Sequence, residues 1–445
     1  MFNTLRNAFK VKDVRKKLWF TLMMLFVVRL GSQIPIPGTD SQVIKDILGK
    51  NDTVSGILGM MSGGSLENFA IFALGIGPYI TASIIIQLLT AAFPALEEMQ
   101  KEGEEGRKKL QSLTRYMTIA LSVLQGGFLS YSLGRNNLFG LNWGGGSKVW
   151  LVLSTTVILT AGGACLMWIG ERITERGVGN GISIVLTINI LARIPSDFAA
   201  LGEHFVAGKK ILPAALAILI IAAIIIAMVV FVIYLQDGVR KIPVQYSKKV
   251  QGNKLVGGQQ SHIPLKVNTA GVIPVIFAST LLSLPQIIQS YGNFTNKAWQ
   301  AIVNMLSQSN WFRFAGGVWK WYYVFGPILY VLMVFGFSYF YTSFTFNPTE
   351  VATNIKKNGG LIPSVRAGSH TEEFLRNILK YLIFIGAIGL SIVALAPIVA
   401  SGLFNIAQVS FGGTSLIIVV SVVLETIKAV ESQMMARNYK GFLNK

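Results

Sequence analysis

The sequence predicts an all-α polytopic membrane protein, and three observations carry that prediction. Of its 445 residues, 52% are hydrophobic and only 13% charged. A water-soluble chain of that make-up would expose far too much apolar surface, whereas lipid accepts it. Apolar stretches recur that are long enough, at about 1.5 Å of helix rise per residue, to cross a hydrocarbon core about 30 Å thick. Finally, the formal net charge of +19 is concentrated in alternate connecting segments, as topology requires of a multi-pass protein.

Ten spans are expected, near 18–37, 69–93, 111–133, 149–170, 181–201, 211–235, 269–289, 321–343, 375–398 and 408–427. The first follows basic residues, as the apolar core of a cleavable signal does. It ends in Ile34-Pro35-Ile36-Pro37-Gly38 with no small-residue cleavage pattern, so it reads as a retained span. The second is uncharged throughout 69–93 and is preceded by a short apolar piece, 53–61, that Ser62-Gly63-Gly64-Ser65 interrupts. A short broken helix therefore sits beside a full one. Irregular backbone at membrane depth is tolerated only where protein or a watery cavity satisfies its polar groups. The short piece either enters such a cavity, in the mouth of a pore, or lies outside the bilayer as a surface connector; the break alone fits both.

Cys165, the single cysteine, falls in the fourth span, which excludes disulfides within the chain and makes a cysteine metal site implausible. The loop 289–320 is rich in aromatics, with Trp311-Phe312-Arg313-Phe314 and Trp319-Lys320-Trp321-Tyr322-Tyr323 at its end, and reads as an anchor at the headgroup level. With the N-terminus in the cytoplasm, 27 of the 39 Lys and Arg lie on the inner side. That bias puts both termini in the cytoplasm and accounts for much of the basic excess without nucleic acid.

Ion-coupled transport needs a group in the membrane that changes charge or holds a cation. Here Asp197 and Glu425 fall at span ends, while His204, His262 and His370 are all in loops without metal spacing. Nucleophile motifs, Walker loops and paired carboxylates are missing, and Gly144-Gly145-Gly146 lacks the Lys-Ser/Thr of a phosphate loop. The reading is therefore not an enzyme, with no cofactor and no metal. The spans do hold uncharged polar residues: Thr81, Ser83, Gln87 and Thr90 in the second, and Asn268, Thr269, Ser279, Thr280 and Ser283 in or beside the seventh. Such groups bond between helices with about 0.6 to 2 kcal/mol each, weak enough for an interface that parts.

Five stretches make the reading specific. They are Ile34-Pro35-Ile36-Pro37-Gly38, the run from Phe72 to Ile80, the run Glu171-Arg172-Ile173-Thr174-Glu175-Arg176-Gly177-Val178-Gly179-Asn180-Gly181-Ile182-Ser183, Lys266 to Pro274, and Gly412-Gly413-Thr414-Ser415-Leu416. In order and in extent they closely resemble the SecY family, the channel subunit of the bacterial Sec protein translocase. The resemblance implies an hourglass channel of two pseudo-symmetric five-helix halves. One is 1–205, with spans one to five and a plug at about 53–66; the other is 206–445, with spans six to ten and large cytoplasmic loops at 237–267 and 344–374. It decides the open question above in favour of the cavity, with Ile57, Leu58, Met60, Met61, Gly63 and Gly64 in the plug.

Family pore-ring positions, carried over through these motifs, are Ile76, Ile80, Ile182, Leu186, Ile276 and Ile418. Ile76 with Ile80, and Ile182 with Leu186, are spaced to share one helix face. An aliphatic ring offers an ion nothing to hold, closes by dewetting, and yields around a moving chain because dispersion contacts do not depend on register. The resemblance also implies a lateral seam between spans two and three and spans seven and eight, where Thr81 and Gln87 are expected to face Asn268 and Thr280.

Arg240, Lys241, Lys248, Lys249 and, above all, Arg366 are the expected contacts for the SecA motor ATPase or the ribosome. The chain departs from the family in reading Pro363-Ser364-Val365-Arg366-Ala367-Gly368, where Pro-Gly-Ile-Arg-Pro-Gly is common. Implied partners are SecE and SecG, SecA, the ribosome, secretory and membrane-protein substrates with signal sequences, and membrane lipids, all at a bacterial plasma membrane. The alternative class is a secondary transporter for a small solute, which also uses broken helices.

Overall fold

A computed structural model describes residues 9–39, 62–135, 147–205, 211–246, 249–251, 254–256, 260–292, 296–312, 320–366, 368–404 and 413–443. Among them are ten helices of 16 residues or more, one for each expected span. In chain order these are α1 (Lys12–Gly31), α2 (Gly77–Ala92), α4 (Glu104–Arg135), α5 (Ser147–Arg176), α6 (Gly181–Phe205), α7 (Ile211–Asp237), α8 (Ile273–Gly292), α10 (Phe325–Thr345), α12 (Ser369–Phe404) and α13 (Gly413–Leu443). Shorter helices are α3 (Pro94–Lys101), α9 (Lys297–Leu306) and α11 (Pro348–Lys357).

By length and apolarity alone, three of the described helical stretches qualify as spans, Val149–Arg176, Trp321–Lys357 and Ser369–Ala400. A fourth qualifies if α2 and α3, bent by 102° at Phe93, count together. The stretches Gly181–Ser196, Ala222–Asp237 and Ile273–Gln289 are apolar but shorter. Charged and polar residues occupy much of α1 and α4, so their lengths do not translate into uninterrupted apolar runs.

The second span differs from the helix expected over 69–93. Its helix begins only at Gly77, with Pro78 in the first turn, where a missing amide hydrogen costs nothing. Residues 62–76 run as successive turns, with Phe69 at φ 44° and Gly75 at φ 58°. Their backbone finds partners in the chain that follows α1: the Ile36 amide donates to the Phe69 carbonyl at 3.0 Å, and the Ile71 amide to the Ile34 carbonyl at 3.1 Å. The Pro-rich stretch after α1 ends that helix early and supplies this extended partner.

Close approach buries the turn segment. A Cβ at Gly162 of α5 would lie 2.1 Å from the Ile71 carbonyl oxygen, and one at Gly31 of α1 would lie 2.2 Å from the Phe72 ring. These glycines let α5 sit directly on the irregular backbone and α1 on the Phe72 ring, covering the segment from two sides.

A second departure concerns Trp311. It is 1% exposed, donates its indole N–H to the Met305 carbonyl at 2.9 Å, and rests on Gly326 and Tyr330. It is a core residue of the later helices and not a headgroup anchor, because a buried indole needs one acceptor and the Met305 carbonyl, in the last turn of α9, provides it. Trp321, 72% exposed, remains at the surface, and Trp319 lies outside the described residues.

The later helices pack around Val232, Leu235, Val275, Leu282, Tyr330, Val334, Leu390 and Ile417. The two long loops, expected separately, fold into one unit. β1 (Val239–Tyr246) pairs antiparallel with β4 (Gln260–Lys266), with Val239 opposite Lys266 and Gln245 opposite Gln260. β5 (Gly360–Leu361) adds to the other edge of β1, with Tyr246 opposite Gly360. β2 (Lys249–Gln251) and β3 (Lys254–Val256) form a separate hairpin. Ile242, Val244 and Leu265 of the strands bury their side chains with Ile355, Ile362, Leu375 and Leu379 from the second loop and its flanking helices.

Candidate functional site: an aliphatic cluster beneath a clamped turn segment

All six expected ring residues fall in one apolar cluster. Ile76, Leu186 and Ile418 are 1%, 4% and 5% exposed, and the partly buried Ile80, Ile182 and Ile276 pack against them. The six come from the start of α2 and from α6, α8 and α13, and α1 and α5 add Val28, Leu166, Ile169 and Ile173 to the same cluster. Ile182 also turns toward α5, where its Cδ1 would touch a Cβ at Gly170 at 2.4 Å. Ile190 was not singled out in the sequence. It is 4% exposed in the same cluster and continues the Leu186 face by one helical turn. The same i, i+4 spacing was the signal that could have found it.

The glycine-rich motif before α6 sets the height and direction of that helix. Asn180 caps it, its Oδ1 accepting from the amides of Ile182 at 3.2 Å and Ser183 at 3.4 Å. Gly179, at φ 74°, makes the turn, and the Gly181 amide donates to Thr174 Oγ1 at 2.9 Å. Thr21 of α1 accepts from the Val178 amide at 3.3 Å, tying the motif to the first span.

Of the expected plug residues, Ile57, Leu58, Met60 and Met61 lie outside the described residues, while Gly63 and Gly64 are placed. Both have positive φ, 64° and 85°. Gly63 lies directly on α6, since a Cβ there would meet the Asn189 Cα at 2.8 Å. Its carbonyl accepts from Arg29 Nη1 of α1 at 3.2 Å. Four residues on, Glu67 forms an ion pair with Arg193 of α6 at 2.7 Å. Between them, Ser65 Oγ lies 2.6 Å from the Ser62 carbonyl and 2.8 Å from that of Phe72. Neither Arg29 nor Arg193 was assigned a role from the sequence; their signal was an ionisable side chain inside an expected span.

The hydrogen bonds of the expected seam residues run within their own segments. Thr81 bonds back to the Gly77 carbonyl, Gln87 Nε2 donates to Ser83 Oγ at 3.2 Å, and Asn268 Nδ2 donates to the Gly271 carbonyl at 2.9 Å. The Thr280 carbonyl accepts from Ser283 Oγ at 2.7 Å. The expected facing of Thr81 and Gln87 with Asn268 and Thr280 thus forms no hydrogen bond across the seam. The reason is that neighbours one turn away reach more easily than partners on another helix. Gln87 Oε1 is buried with no hydrogen-bond partner. Across this side of the molecule α8 touches α4, and on the opposite side α6 and α1 pack against α13.

On the two-loop unit, Arg240 and Lys241 are exposed on β1; Lys248 lies outside the described residues, and Lys249 begins β2. Arg366 is exposed at the end of a turn held by the Thr371 hydroxyl, which donates to the Arg366 carbonyl at 2.8 Å. Ser364 sits at φ 69°, a conformation glycine favours.

Three comparisons bear on what this arrangement does. The SecY family model matches residues 70–427. The chain is 42% identical over 448 residues to the "Protein translocase subunit SecY" of Halalkalibacterium halodurans, covering all of both chains. It is 39% identical over 451 residues to the protein of that name from Thermotoga maritima, covering 100% of this chain and 98% of that one. Among solved structures, it is similar in fold to "The structure of a protein conducting channel", with a TM-score of 0.59 at 19% identity over 94% of this chain and 92% of that one. It is similar also to Sec61 in the canine ribosome-channel complex, with a TM-score of 0.57 at 18% identity over 94% of this chain and 92% of that one.

Proposed function

Because the chain belongs to the SecY family, we propose that it is the protein-conducting subunit of a bacterial Sec translocase. It passes unfolded secretory polypeptides across the plasma membrane and releases apolar signals and membrane helices sideways into lipid. It is a channel and not an enzyme: partners supply the energy and this chain supplies the gated path. The observation that carries the reading is the meeting of Ile76, Ile80, Ile182, Leu186, Ile276 and Ile418 in one aliphatic cluster drawn from both ends of the chain. Such a constriction has no ligand for an ion, and it opens only when something wide and apolar enough enters.

In this reading the segment at about 53–66 is the plug above the ring, and the halves 1–205 and 206–445 part on the side where α8 meets α4. Gln87 contributes to the readiness of that seam to part, because a buried amide oxygen without a partner costs about 1 to 3 kcal/mol that a hydrated, open seam would relieve. SecE and SecG are the expected subunits, and both termini lie in the cytoplasm with the two-loop unit. That unit is the docking surface for SecA or the ribosome, through Arg240, Lys241, Lys248, Lys249 and Arg366.

Reconstituted vesicles test this. With SecE, SecG, SecA and ATP, the wild-type chain is expected to carry a signal-bearing precursor to a protease-protected position. Arg366→Glu is expected to lower the rate by about tenfold or more, because reversing a central charge at a docking surface sets like charges against each other. An unchanged rate would remove Arg366 from the docking surface, and a wild-type chain that protected no precursor would remove the channel reading.

A further inference from the structure

Arg366 is exposed on the two-loop unit and takes part in none of the ion pairs among the described residues. The backbone that carries it is nonetheless fixed on both sides. Before it, Ile362 is 4% exposed and Val365 packs, partly buried, against the apolar core that the two loops share, and the Val365 amide donates to the Ile362 carbonyl at 3.1 Å. After it, the chain enters α12, whose third residue is the buried Thr371. Ser364 at φ 69° and Gly368 at φ 105° bend the chain to either side of Arg366.

A threonine in a helix ordinarily gives its hydroxyl hydrogen to the carbonyl three or four residues before it. Thr353 of α11 does so, to the Thr349 carbonyl at 2.8 Å. Thr371 reaches one residue further, out of its own helix, to the Arg366 carbonyl at 2.8 Å. The Gly368 carbonyl, three residues before Thr371, accepts instead from the Glu372 amide at 3.1 Å. Leu375, one turn on along the same face of α12, is fully buried in the shared core, so the hydroxyl projects from a firm base.

We infer that Thr371 is a positioning residue for Arg366. Its hydroxyl holds the backbone there so that the guanidinium is presented at one place to a carboxylate on the docking motor. A guanidinium meets a carboxylate as a planar fork, and the match depends on orientation. A turn already held in that setting loses less freedom when the partner arrives, so the tie raises affinity. The inference rests on the reading of the two-loop unit as the docking surface for SecA. It adds that a buried residue with no contact to the motor sets how tightly the motor is held, and leaves the rate of the docked complex alone.

The experiment measures precursor transport against SecA concentration in vesicles holding the full translocase with ATP. Thr371→Val keeps the shape of the side chain and removes the hydroxyl. It is expected to raise the SecA concentration for half-maximal transport about fivefold, the effect of losing one neutral hydrogen bond, with the rate at saturating SecA near wild type. Thr371→Ser keeps the hydroxyl and should stay within about twofold of wild type. Thr353→Val, which loses a like bond inside α11, should change neither quantity. Arg366→Ala should raise the half-maximal concentration about tenfold, and Thr371→Val should add nothing to it, because two residues that act through one contact are not additive. The positioning role is wrong, and the docking surface stands, if Arg366→Ala weakens SecA while Thr371→Val does not, or if the two effects multiply. A Thr371→Ser variant as weak as Thr371→Val, or a Thr371→Val variant slowed only at saturating SecA, would overturn it as well. If Arg366→Ala changes neither quantity, the docking reading falls and the inference with it.

Discussion

A carboxylate at Ile80 or Ile276 is expected to turn the resting channel into one that leaks cations. Both side chains are partly buried and pack against the buried Ile76, Leu186 and Ile418, so each borders the aliphatic cluster without forming its innermost layer. A dry aliphatic neck holds back ions because none of its groups replaces their hydration shell. A carboxylate there draws in water, since leaving it dry costs several kcal/mol, and presents a negative charge to cations. Resting conductance in planar bilayers should rise by about tenfold or more for Ile80→Asp and Ile276→Asp. Ile226→Asp, at a position 62% exposed on α7, should leave it unchanged. Conductance that stayed at the wild-type level in both ring variants would place these residues away from the constriction.

Gly181→Ala is expected to cost about 3 kcal/mol or more of stability, because one methyl group has nowhere to go. A Cβ there would lie 2.0 Å from the Gly170 carbonyl oxygen and 2.7 Å from the Ile173 Cβ, and backbone cannot swing aside as a side-chain tip can. The amide of Gly181 is held to Thr174 and the next turn is capped by Asn180, so α6 would have to shift as a body. With it would go Leu186, Ile190 and Arg193, coupling a packing defect to the aliphatic cluster and to the ion pair with Glu67. Thermal melting in detergent reads the loss. Gly77→Ala serves as the comparison, with nothing within 4 Å of its added Cβ, and should change stability by about 1 kcal/mol or less.

Hydropathy and charge bias made the ten long helices legible, because lipid imposes both on any multi-pass chain. That the six aliphatic positions would meet in one cluster was legible only through long matching motifs: a single isoleucine in a chain this apolar faces lipid or core far more often than a pore. The turn segment at 62–76 looked helical because it is uncharged. What breaks it is a set of distant partners, Ile34 and Ile36 on one side and Gly31 and Gly162 on the others, and local composition does not register them. The joining of the two long loops escaped for the same reason, since the pairing of Tyr246 with Gly360 spans more than a hundred residues and involves a two-residue strand. At the seam, uncharged polar residues were visible but their partners were not, and Gln87 and Asn268 each satisfy a donor within their own segment.

Site-directed cross-linking through the ring tests the central claim most directly. In a Cys165→Ser background, single cysteines at Ile80 and Ile276, with Ile226 as the lipid-facing control, would meet a secretory chain stalled midway and carrying one cysteine of its own. Disulfide adducts at Ile80 and Ile276 but not at Ile226 are the predicted result and place the polypeptide in the aliphatic cluster. A stalled, inserted chain that formed adducts at neither ring position would contradict the account.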